Sequence, residues 1–251
     1  MSTPSTFKHL FSWQSGDYAR FRPTYPASLY DWLATLPAER RLAVDVGTGN
    51  GQAAVELGKR FERVIGVDPS EAQLAKAPAT PNIEWRRGSD DATGVDGGSA
   101  DLLTAAQAFH WFKQPAFFAE VRRVVRPGGA LAVWCYGLAV ITPEVDAAVY
   151  ELYEPMLGRY WEPERKLVEQ GYRNVAFPFD EIAAVPPLDI QLDWTFEHLM
   201  GYIGTWSPLK RYREERGEDP LPIVLPRLQR AWGDAPERRV TWPLSVRAFR
   251  L

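Results

Sequence analysis

Three glycines and two acidic residues follow the ends of two apolar segments. Gly47, Gly49 and Gly51 occupy alternate positions after a segment that contains Asp45, and a second apolar segment ends in Asp68, 21 residues after Gly47. Glycine permits a tight turn and lets a ligand approach the backbone closely. An acidic residue at the end of the next strand can accept hydrogen bonds from both hydroxyls of a ribose. The pattern predicts a nucleoside site at the carboxyl ends of parallel strands.

The glycine spacing differs from that of dinucleotide sites. Those sites require G-x-G-x-x-G, because the third glycine lets the helix lie close to the strand and the pyrophosphate. Gln52 stands at that third position in this chain. The carboxylate of Asp45 would repel a pyrophosphate but attract a cationic amino group. S-adenosylmethionine satisfies these conditions, since it carries an ammonium, a sulfonium and a ribose but no phosphate.

On these residues the chain resembles the class I S-adenosylmethionine-dependent methyltransferases, in particular the small-molecule group of methyltransferase type 11 and trans-aconitate methyltransferase-like enzymes. The resemblance implies an α/β, Rossmann-like fold. Its mainly parallel, seven-stranded sheet would carry helices on both faces and an antiparallel pair of strands at one edge. The cofactor would be S-adenosyl-L-methionine and the product S-adenosyl-L-homocysteine. The specific motifs lie within about residues 15–136, and residues 137–251 match only loosely.

The hydrophobic pattern supplies the elements that this sheet needs. Short apolar segments alternate with helical ones, which is typical of a parallel sheet covered on both faces. The pattern predicts strands at 42–46, 63–67, 82–86, 101–106, 130–135, 189–196, 239–242 and 244–250. It predicts helices at 28–36, 52–60, 71–76, 114–125, 143–157, 163–170 and within 197–232. By resemblance, 189–196 and 244–250 are the antiparallel pair.

We predict a single methyltransferase domain over residues 1–251. Residues 1–40 would form an N-terminal lid and the first helix, and residues 41–136 the cofactor-binding core. The substrate-side helices and the final strands would occupy residues 137–251.

The resemblance places the cofactor against five segments of the chain. The glycine turn would face its methionine half, the end of the second strand its ribose, and the next two residues its adenine. Either Asp90 or Asp91 would meet the adenine amino group. In the N-terminal arm an arginine can pair with the cofactor carboxylate in a bidentate way. The predicted cofactor-binding residues are Tyr18, Arg22, Asp45, Gly47, Thr48, Gly49, Asp68, Pro69, Ser70, Ser89, Asp90, Asp91, Ala105, Ala106 and Gln107.

The segment after the fourth strand resembles the part of the family that faces the transferable methyl group. It makes His110 the candidate catalytic residue, either as a base near neutral pH or as a group that orients the acceptor. A packed, hydrogen-bonded histidine is the alternative. The predicted substrate-binding residues are His110, Trp111, Tyr202 and Trp206.

Composition limits the partners of the protein. A net charge of −3 disfavours a nucleic-acid substrate. One cysteine indicates a reducing compartment, and no apolar run approaches the roughly 20 residues of a membrane span, so a cytoplasmic location is expected. The three histidines lack ligand spacing, so no metal is expected. We expect a monomer or homodimer that acts on a small molecule, with no nucleic-acid or membrane partner.

The expected reaction is an in-line displacement, in which positioning supplies much of the catalysis. A carboxylic acid is one candidate acceptor and needs no base, because it is already ionised near neutral pH. An alcohol, phenol or ammonium must lose a proton, and a base then matters. Arg20, Arg211 and Arg213 could favour an acid. Two other classes stay open: a cofactor-binding protein without catalysis, and a nicotinamide-dependent oxidoreductase.

Overall fold

The structure is a computed structural model that describes residues 21–251. These residues divide into two compact units. The sheet unit consists of Tyr25–Gly137, Glu164–Asp189 and Pro243–Leu251. The helical unit consists of Leu138–Pro163, Ile190–Trp242 and the described part of Met1–Thr24. The single domain inferred from the sequence stays a prediction.

Strands and short helices alternate along the first half of the chain. The strands are β1 (Leu42–Val46), β2 (Arg63–Asp68), β3 (Ile83–Arg87), β4 (Ala100–Ala106), β5 (Val125–Tyr136), β6 (Asp180–Glu181), β7 (Asp189–Trp194) and β8 (Arg238–Arg250). The helices are α1 (Ala27–Leu33), α2 (Gln52–Gly58), α3 (Glu71–Leu74), α4 (Gln114–Val124), α5 (Pro143–Glu151), α6 (Arg165–Glu169), α7 (Phe196–Gly204), α8 (Pro208–Arg216) and α9 (Leu221–Trp232).

The strands form a mixed sheet in the order β3-β2-β1-β4-β5-β8-β6, with β7 beside β8. The first five strands are parallel, and β8 is antiparallel to both β5 and β6. This arrangement confirms the Rossmann-like class, in which an antiparallel edge completes a mainly parallel sheet.

The sheet has eight strands, whereas seven were predicted. The additional strand is β6, whose two residues are too few to show a hydrophobic period. It pairs with Phe249 and Arg250 at the end of β8. The predicted partner β7 also pairs with β8. The separate strands predicted at 239–242 and 244–250 are one continuous strand through the exposed Pro243.

Alternate residues of the parallel strands face two apolar layers. Val44 and Leu103 belong to one layer with residues of α4, and Ala43 and Leu102 belong to the other with residues of α1 and α2. This period of two is the geometry of a strand that is buried on both faces. The helices therefore cover both faces of the sheet, as predicted.

One predicted helix is interrupted, and the predicted helical segment is divided into three helices. The helix expected over 143–157 ends as α5 at Glu151 and continues as a π turn over Leu152–Met156. Pro155 lies in that turn, where a proline cannot donate a regular helical hydrogen bond. The helical segment 197–232 consists of α7, α8 and α9, and Gly217 ends α8 in a left-handed conformation. Within residues 21–251, no helix has the length and apolar character of a membrane span.

Candidate functional site

The turn after β1 is held to β2 by its own backbone. The N–H groups of Gly47 and Thr48 both donate to the carbonyl oxygen of Val67, at 2.8 and 3.0 Å. Gly47, Gly49 and Gly51 have φ angles of +69°, +57° and +87°, in the region that glycine adopts without steric penalty. The turn therefore lies at the carboxyl ends of two adjacent parallel strands, as the spacing predicts.

The three glycines have different neighbours. A Cβ atom on Gly47 would lie 2.6 Å from the Cβ of Ala108, and one on Gly51 would lie 2.3 Å from the Trp85 ring. A Cβ on Gly49 would have no neighbour within 4 Å among the described residues. Packing alone therefore requires Gly47 and Gly51 to lack a side chain, and Gly49 is the position where the backbone is open to a ligand.

Asp45 is a fully buried carboxylate beneath this turn. Its oxygens accept hydrogen bonds from the hydroxyls of Thr48, at 2.6 Å, and Thr104, at 2.7 Å. Burial raises the pKa of Asp45 to about 6, although the two hydroxyls oppose the shift, and the nearby Asp68 raises it further. A cationic group beside Asp45 would stabilise its ionised form. The position suits a ligand that carries an ammonium.

Asp68 connects the glycine turn to the start of α3. One oxygen accepts the N–H of Gly49 and the other accepts the N–H of Ser70, both at 2.8 Å. Ser70, which follows the exposed Pro69, is the N-cap of α3, and its hydroxyl accepts the N–H of Gln73. Since a carboxylate oxygen can accept more than one hydrogen bond, both oxygens keep capacity for the two hydroxyls of a ribose.

The acidic loop after β3 has partners of its own. Ser89 and Ala92 exchange backbone hydrogen bonds, and the Ser89 hydroxyl donates to Asp91 at 2.5 Å. Asp90 accepts the N–H of Lys113 at 2.8 Å, which ties this loop to the start of α4. Both carboxylates thus contribute to the structure of the loop. A contact of either Asp90 or Asp91 with an adenine stays a prediction, and the structure does not decide between the two residues.

Gln107 continues the pairing of β4 and β5 beyond the end of β4. Its backbone N–H donates to the carbonyl oxygen of Trp134. Its side-chain amide donates to the carbonyl oxygen of Tyr136 at 3.1 Å and accepts the N–H of Tyr136 at 2.9 Å. The structure assigns this side chain to a strand contact that the sequence did not predict. A cofactor contact by Gln107, and by Ala105 and Ala106 before it, stays a prediction.

His110 lies in a 3₁₀ turn, Phe109–Trp111, after β4. Its side chain is 9% exposed, and its Nδ1 lies 3.1 Å from the hydroxyl of Tyr172. Burial lowers the pKa of His110 to about 4, and the positive charge of Arg165 contributes. The ring is therefore neutral at physiological pH, which differs from a base that titrates near neutrality. Trp111 is 56% exposed beside it.

Tyr172 is the site residue that sequence reasoning missed. It lies 62 positions from His110 in an irregular segment after α6, and no motif marks it. The available signal was weak: the pair Gly171-Tyr172 follows a short predicted helix. Both residues have positive φ angles, which only the structure reveals.

Within the helical unit, the predicted substrate residues are packed among other aromatic rings. Tyr202 and Trp206 are buried, with ring centroids 6.1 Å apart. The guanidinium of Arg22 lies over the Tyr202 ring and donates to the carbonyl oxygen of Thr205. Acceptor binding by Tyr202 and Trp206, and cofactor binding by Arg22, stay predictions.

Two of the three arginines that could favour an acidic acceptor form ion pairs. Arg211 pairs with Glu162, and Arg213 pairs with Asp219. Tyr18 and Arg20 lie outside the described residues. Among residues 21–251, no three His, Cys, Asp or Glu side chains come together as a metal site.

The similarity of the chain to known proteins agrees with the geometry of the site. A family model described as a methyltransferase domain matches residues 44–133, which include the glycine turn, Asp68 and His110. A protein of Dictyostelium discoideum named as a methyltransferase is 35% identical, over 97% of this chain and 95% of that protein. An uncharacterized methyltransferase-like protein of Schizosaccharomyces pombe is 27% identical over 87% and 88%.

A solved structure extends this similarity to the fold. It is described as that of a type II methyltransferase from Anaeromyxobacter dehalogenans, with 45% identity and a TM-score of 0.85. The match covers 91% of this chain and 97% of that chain. These relatives are named as methyltransferases, which supports a methyltransferase over the nicotinamide-dependent oxidoreductase and the non-catalytic binding protein. The chain belongs to the class I S-adenosylmethionine-dependent methyltransferases.

Proposed function

We propose that this methyltransferase methylates a small carboxylic acid, which it receives already ionised. The observation that carries the proposal is the environment of His110 on the segment after β4, where its side chain is buried and hydrogen-bonded to Tyr172. A carboxylic acid is ionised near neutral pH, because its ordinary pKa is about 4. Such an acceptor needs orientation and charge complementarity but no base.

The residues around the glycine turn fit the methyl donor of the family. When bound, S-adenosylmethionine supplies a methyl group on a sulfonium, whose thioether is a good leaving group. Asp45 would hold its ammonium, since a buried carboxylate with a raised pKa gains from a nearby cation. Asp68 would hold the ribose hydroxyls. Gly49 would let the ligand approach the backbone, since a Cβ there would project into open space.

The pKa of His110 argues against an acceptor that must lose a proton. Efficient general bases have pKa values near the operating pH. Burial lowers the pKa of His110 to about 4, so its neutral ring is a weak base. An alcohol or ammonium acceptor would gain little from it. A carboxylate would still gain from an N–H donor on the same ring.

Charge and composition support a small acceptor. A net charge of −3 provides no electrostatic attraction for a nucleic acid. The single cysteine, Cys135, is buried, which supports a reducing compartment such as the cytoplasm. The oligomeric state, monomer or homodimer, stays a prediction.

The test is an acceptor screen with S-adenosylmethionine labelled in its methyl group. Each carboxylic acid is assayed beside its primary amide and its corresponding alcohol, so that the three acceptors differ only at the reacting group. We expect labelled product from acids alone, and this product should release labelled methanol in alkali, as a methyl ester does. At saturating S-adenosylmethionine the rate should show no ionisation between about pH 6 and 8, because neither the acceptor nor His110 titrates there and the bound ammonium keeps Asp45 ionised.

Two results would contradict the proposal. One is methylation of the alcohol or of the amide in preference to the acid. The other is a rate that rises with pH through neutrality, which would require a base with a pKa near 7.

A further inference from the structure

We propose that Tyr172 is a positioning residue that holds His110 with its proton on Nε2, so that His110 donates a hydrogen bond to the acceptor. The donor role rests on the proposed function. The positioning of the ring by Tyr172 does not, because it follows from contacts within the sheet unit.

The hydroxyl of Tyr172 is fully buried. A buried hydroxyl hydrogen that lacks an acceptor costs free energy, so this hydroxyl must donate to a neighbour.

The Tyr172 hydroxyl has two neighbours that could accept its hydrogen: Nδ1 of His110, at 3.1 Å, and the sulfur of Cys135. A thiol sulfur is a weak acceptor, whereas an unprotonated imidazole nitrogen is a good one. The thiol of Cys135 itself donates to the carbonyl oxygen of Val168, at 3.7 Å. The Tyr172 hydroxyl therefore donates to Nδ1.

The His110 ring is neutral, and a neutral imidazole has one protonated nitrogen. Because Nδ1 of His110 accepts from Tyr172, the proton lies on Nε2. The ring then presents a donor and no lone pair at its second nitrogen, so His110 can orient an anionic oxygen and cannot remove a proton from an acceptor.

The backbone around Tyr172 is fixed in an uncommon conformation. Tyr172 has a φ of +59°, in the left-handed region that residues with a side chain seldom adopt. It follows Gly171, where a Cβ would lie 2.4 Å from the hydroxyl of Ser245. Arg247 donates to the Tyr172 carbonyl oxygen at 2.9 Å and forms a two-point ion pair with Glu181. Strain held by surrounding contacts often marks a functional constraint.

The segment that carries His110 lies against the glycine turn. A Cβ on Gly47 would come within 2.6 Å of the Ala108 Cβ and 3.2 Å of the Phe112 ring. Ala108 and Phe112 are each two residues from His110. The Nε2–H donor therefore belongs to the segment that packs on the cofactor turn, where an acceptor oxygen must approach the methyl group.

The decisive experiment is nitrogen-15 NMR of the full chain labelled in its histidines. The chain has three histidines, and His110→Gln identifies the signal of His110 by its loss. In the wild type we expect an unprotonated Nδ1 and a protonated Nε2. In Tyr172→Phe, Nδ1 loses its partner, and we expect a mixture of both tautomers and a higher pKa for His110.

Tyr30→Phe is the matched control. Tyr30 is fully buried in the same unit, and no group of the described residues hydrogen-bonds its hydroxyl. Its replacement should leave the His110 signals unchanged. A protonated Nδ1 in the wild type would overturn the inference, as would an unchanged tautomer in Tyr172→Phe. The wild-type spectrum decides the tautomer even when Tyr172→Phe does not fold.

Activity measurements separate this inference from the proposed function. With an acid identified in the screen, His110→Ala should raise KM about tenfold or more, the loss of one hydrogen bond to a charged group, with a smaller effect on kcat. His110→Gln retains an N–H donor and should recover part of that loss. Equal defects in the two variants would contradict the donor role. If no acid is methylated but NMR shows Nε2–H, the proposed function fails and the positioning by Tyr172 stands.

Discussion

Asp45 is a buried carboxylate that destabilises the ligand-free protein near neutral pH. Its oxygens are bonded by two hydroxyls, yet burial raises its pKa from 3.8 to about 6. The folded protein therefore binds a proton more tightly than the unfolded chain does between these values. Stability that is present below about pH 4 is lost as the pH rises through about 6. This is the expected signature of a residue retained to bind a cation.

We predict that Asp45→Asn stabilises the ligand-free protein and weakens cofactor binding. At pH 7 the free energy of unfolding should increase by about 3 kcal/mol, which corresponds to a shift of about two pKa units. Thermal melting between pH 4 and 7 measures it, since the variant should lose the decline in stability over that range. Calorimetry with S-adenosylhomocysteine should show weaker binding.

Asp31→Asn is the control for this substitution. Asp31 is exposed and forms an ion pair with Arg60, far from the glycine turn in the sequence. Asp31→Asn should change neither the stability of the ligand-free protein nor its affinity for S-adenosylhomocysteine appreciably, because exposed ion pairs contribute about 0–1 kcal/mol. A less stable Asp45→Asn protein would show that the two hydroxyl contacts of Asp45, and not its charge, dominate.

We predict a different result for Asp68, which anchors two backbone N–H groups and is expected to hold the ribose. Asp68→Ala should lower the affinity for S-adenosylhomocysteine by roughly 10- to 100-fold, since hydrogen bonds to a charged group contribute about 1.5–3 kcal/mol. Glu71→Ala, an exposed acidic residue three positions later, should leave the affinity unchanged. Equal affinity in Asp68→Ala and the wild type would contradict the ribose assignment.

At the scale of elements, the glycine turn combines two requirements that the sequence pattern does not separate. Gly47 and Gly51 are sites of close packing against Ala108 and Trp85, and Gly49 alone is open. All three have positive φ angles. The turn thus contacts β2, β3 and the segment after β4, and among its three glycines Gly49 is the position open to a ligand.

We predict that Gly47→Ala and Gly49→Ala affect different properties. Both replacements place a Cβ at positive φ, which costs roughly 1–2 kcal/mol. Gly47→Ala adds a contact of 2.6 Å with Ala108, so it should lower the melting temperature more. Gly49→Ala should lose more affinity for S-adenosylhomocysteine than its small loss of stability would explain. Melting and calorimetry on both proteins check this, and equal losses of affinity relative to stability would contradict it.

At the scale of the whole molecule, the residues expected to bind the cofactor fall mainly in the sheet unit. Asp45, Asp68 and Gln107 belong to it, and the predicted acceptor residue His110 and its partner Tyr172 lie in the same unit. Among the described residues, the sheet unit therefore contains the predicted cofactor-binding residues other than Arg22. The helical unit contains the predicted acceptor residues Tyr202 and Trp206, whose roles a substrate must test.

We predict that the intact protein binds S-adenosylhomocysteine with micromolar affinity and does not bind NADH. The buried acidic groups at the turn oppose a pyrophosphate, and the net charge of −3 adds to this repulsion. Calorimetric titration with each ligand under the same conditions measures both affinities. Comparable binding of NADH would show that the glycine spacing and Asp45 do not select the ligand.

Much of the fold could be predicted because its signals are local. The boundaries of β1 match the predicted 42–46, β2 ends one residue later than predicted, and β3 is shifted by one residue at both ends. Continuous apolar runs and the helix signals between them suffice for such elements. β6 was missed because a two-residue strand has no period. The end of α5 at Glu151 was missed although Pro155 is a local signal against a regular helix over 143–157.

The sequence by itself determined the family, the parallel strands, the glycine turn and the two acidic residues beside it. Those features depend on residues a few positions apart, whose spacing the covalent chain fixes. Only the tertiary structure decided that Tyr172 bonds His110, that the Gln107 amide bonds Tyr136, and that Gly51 lies against Trp85. These contacts join segments far apart in the chain, so they depend on how the elements pack together and not on any local pattern.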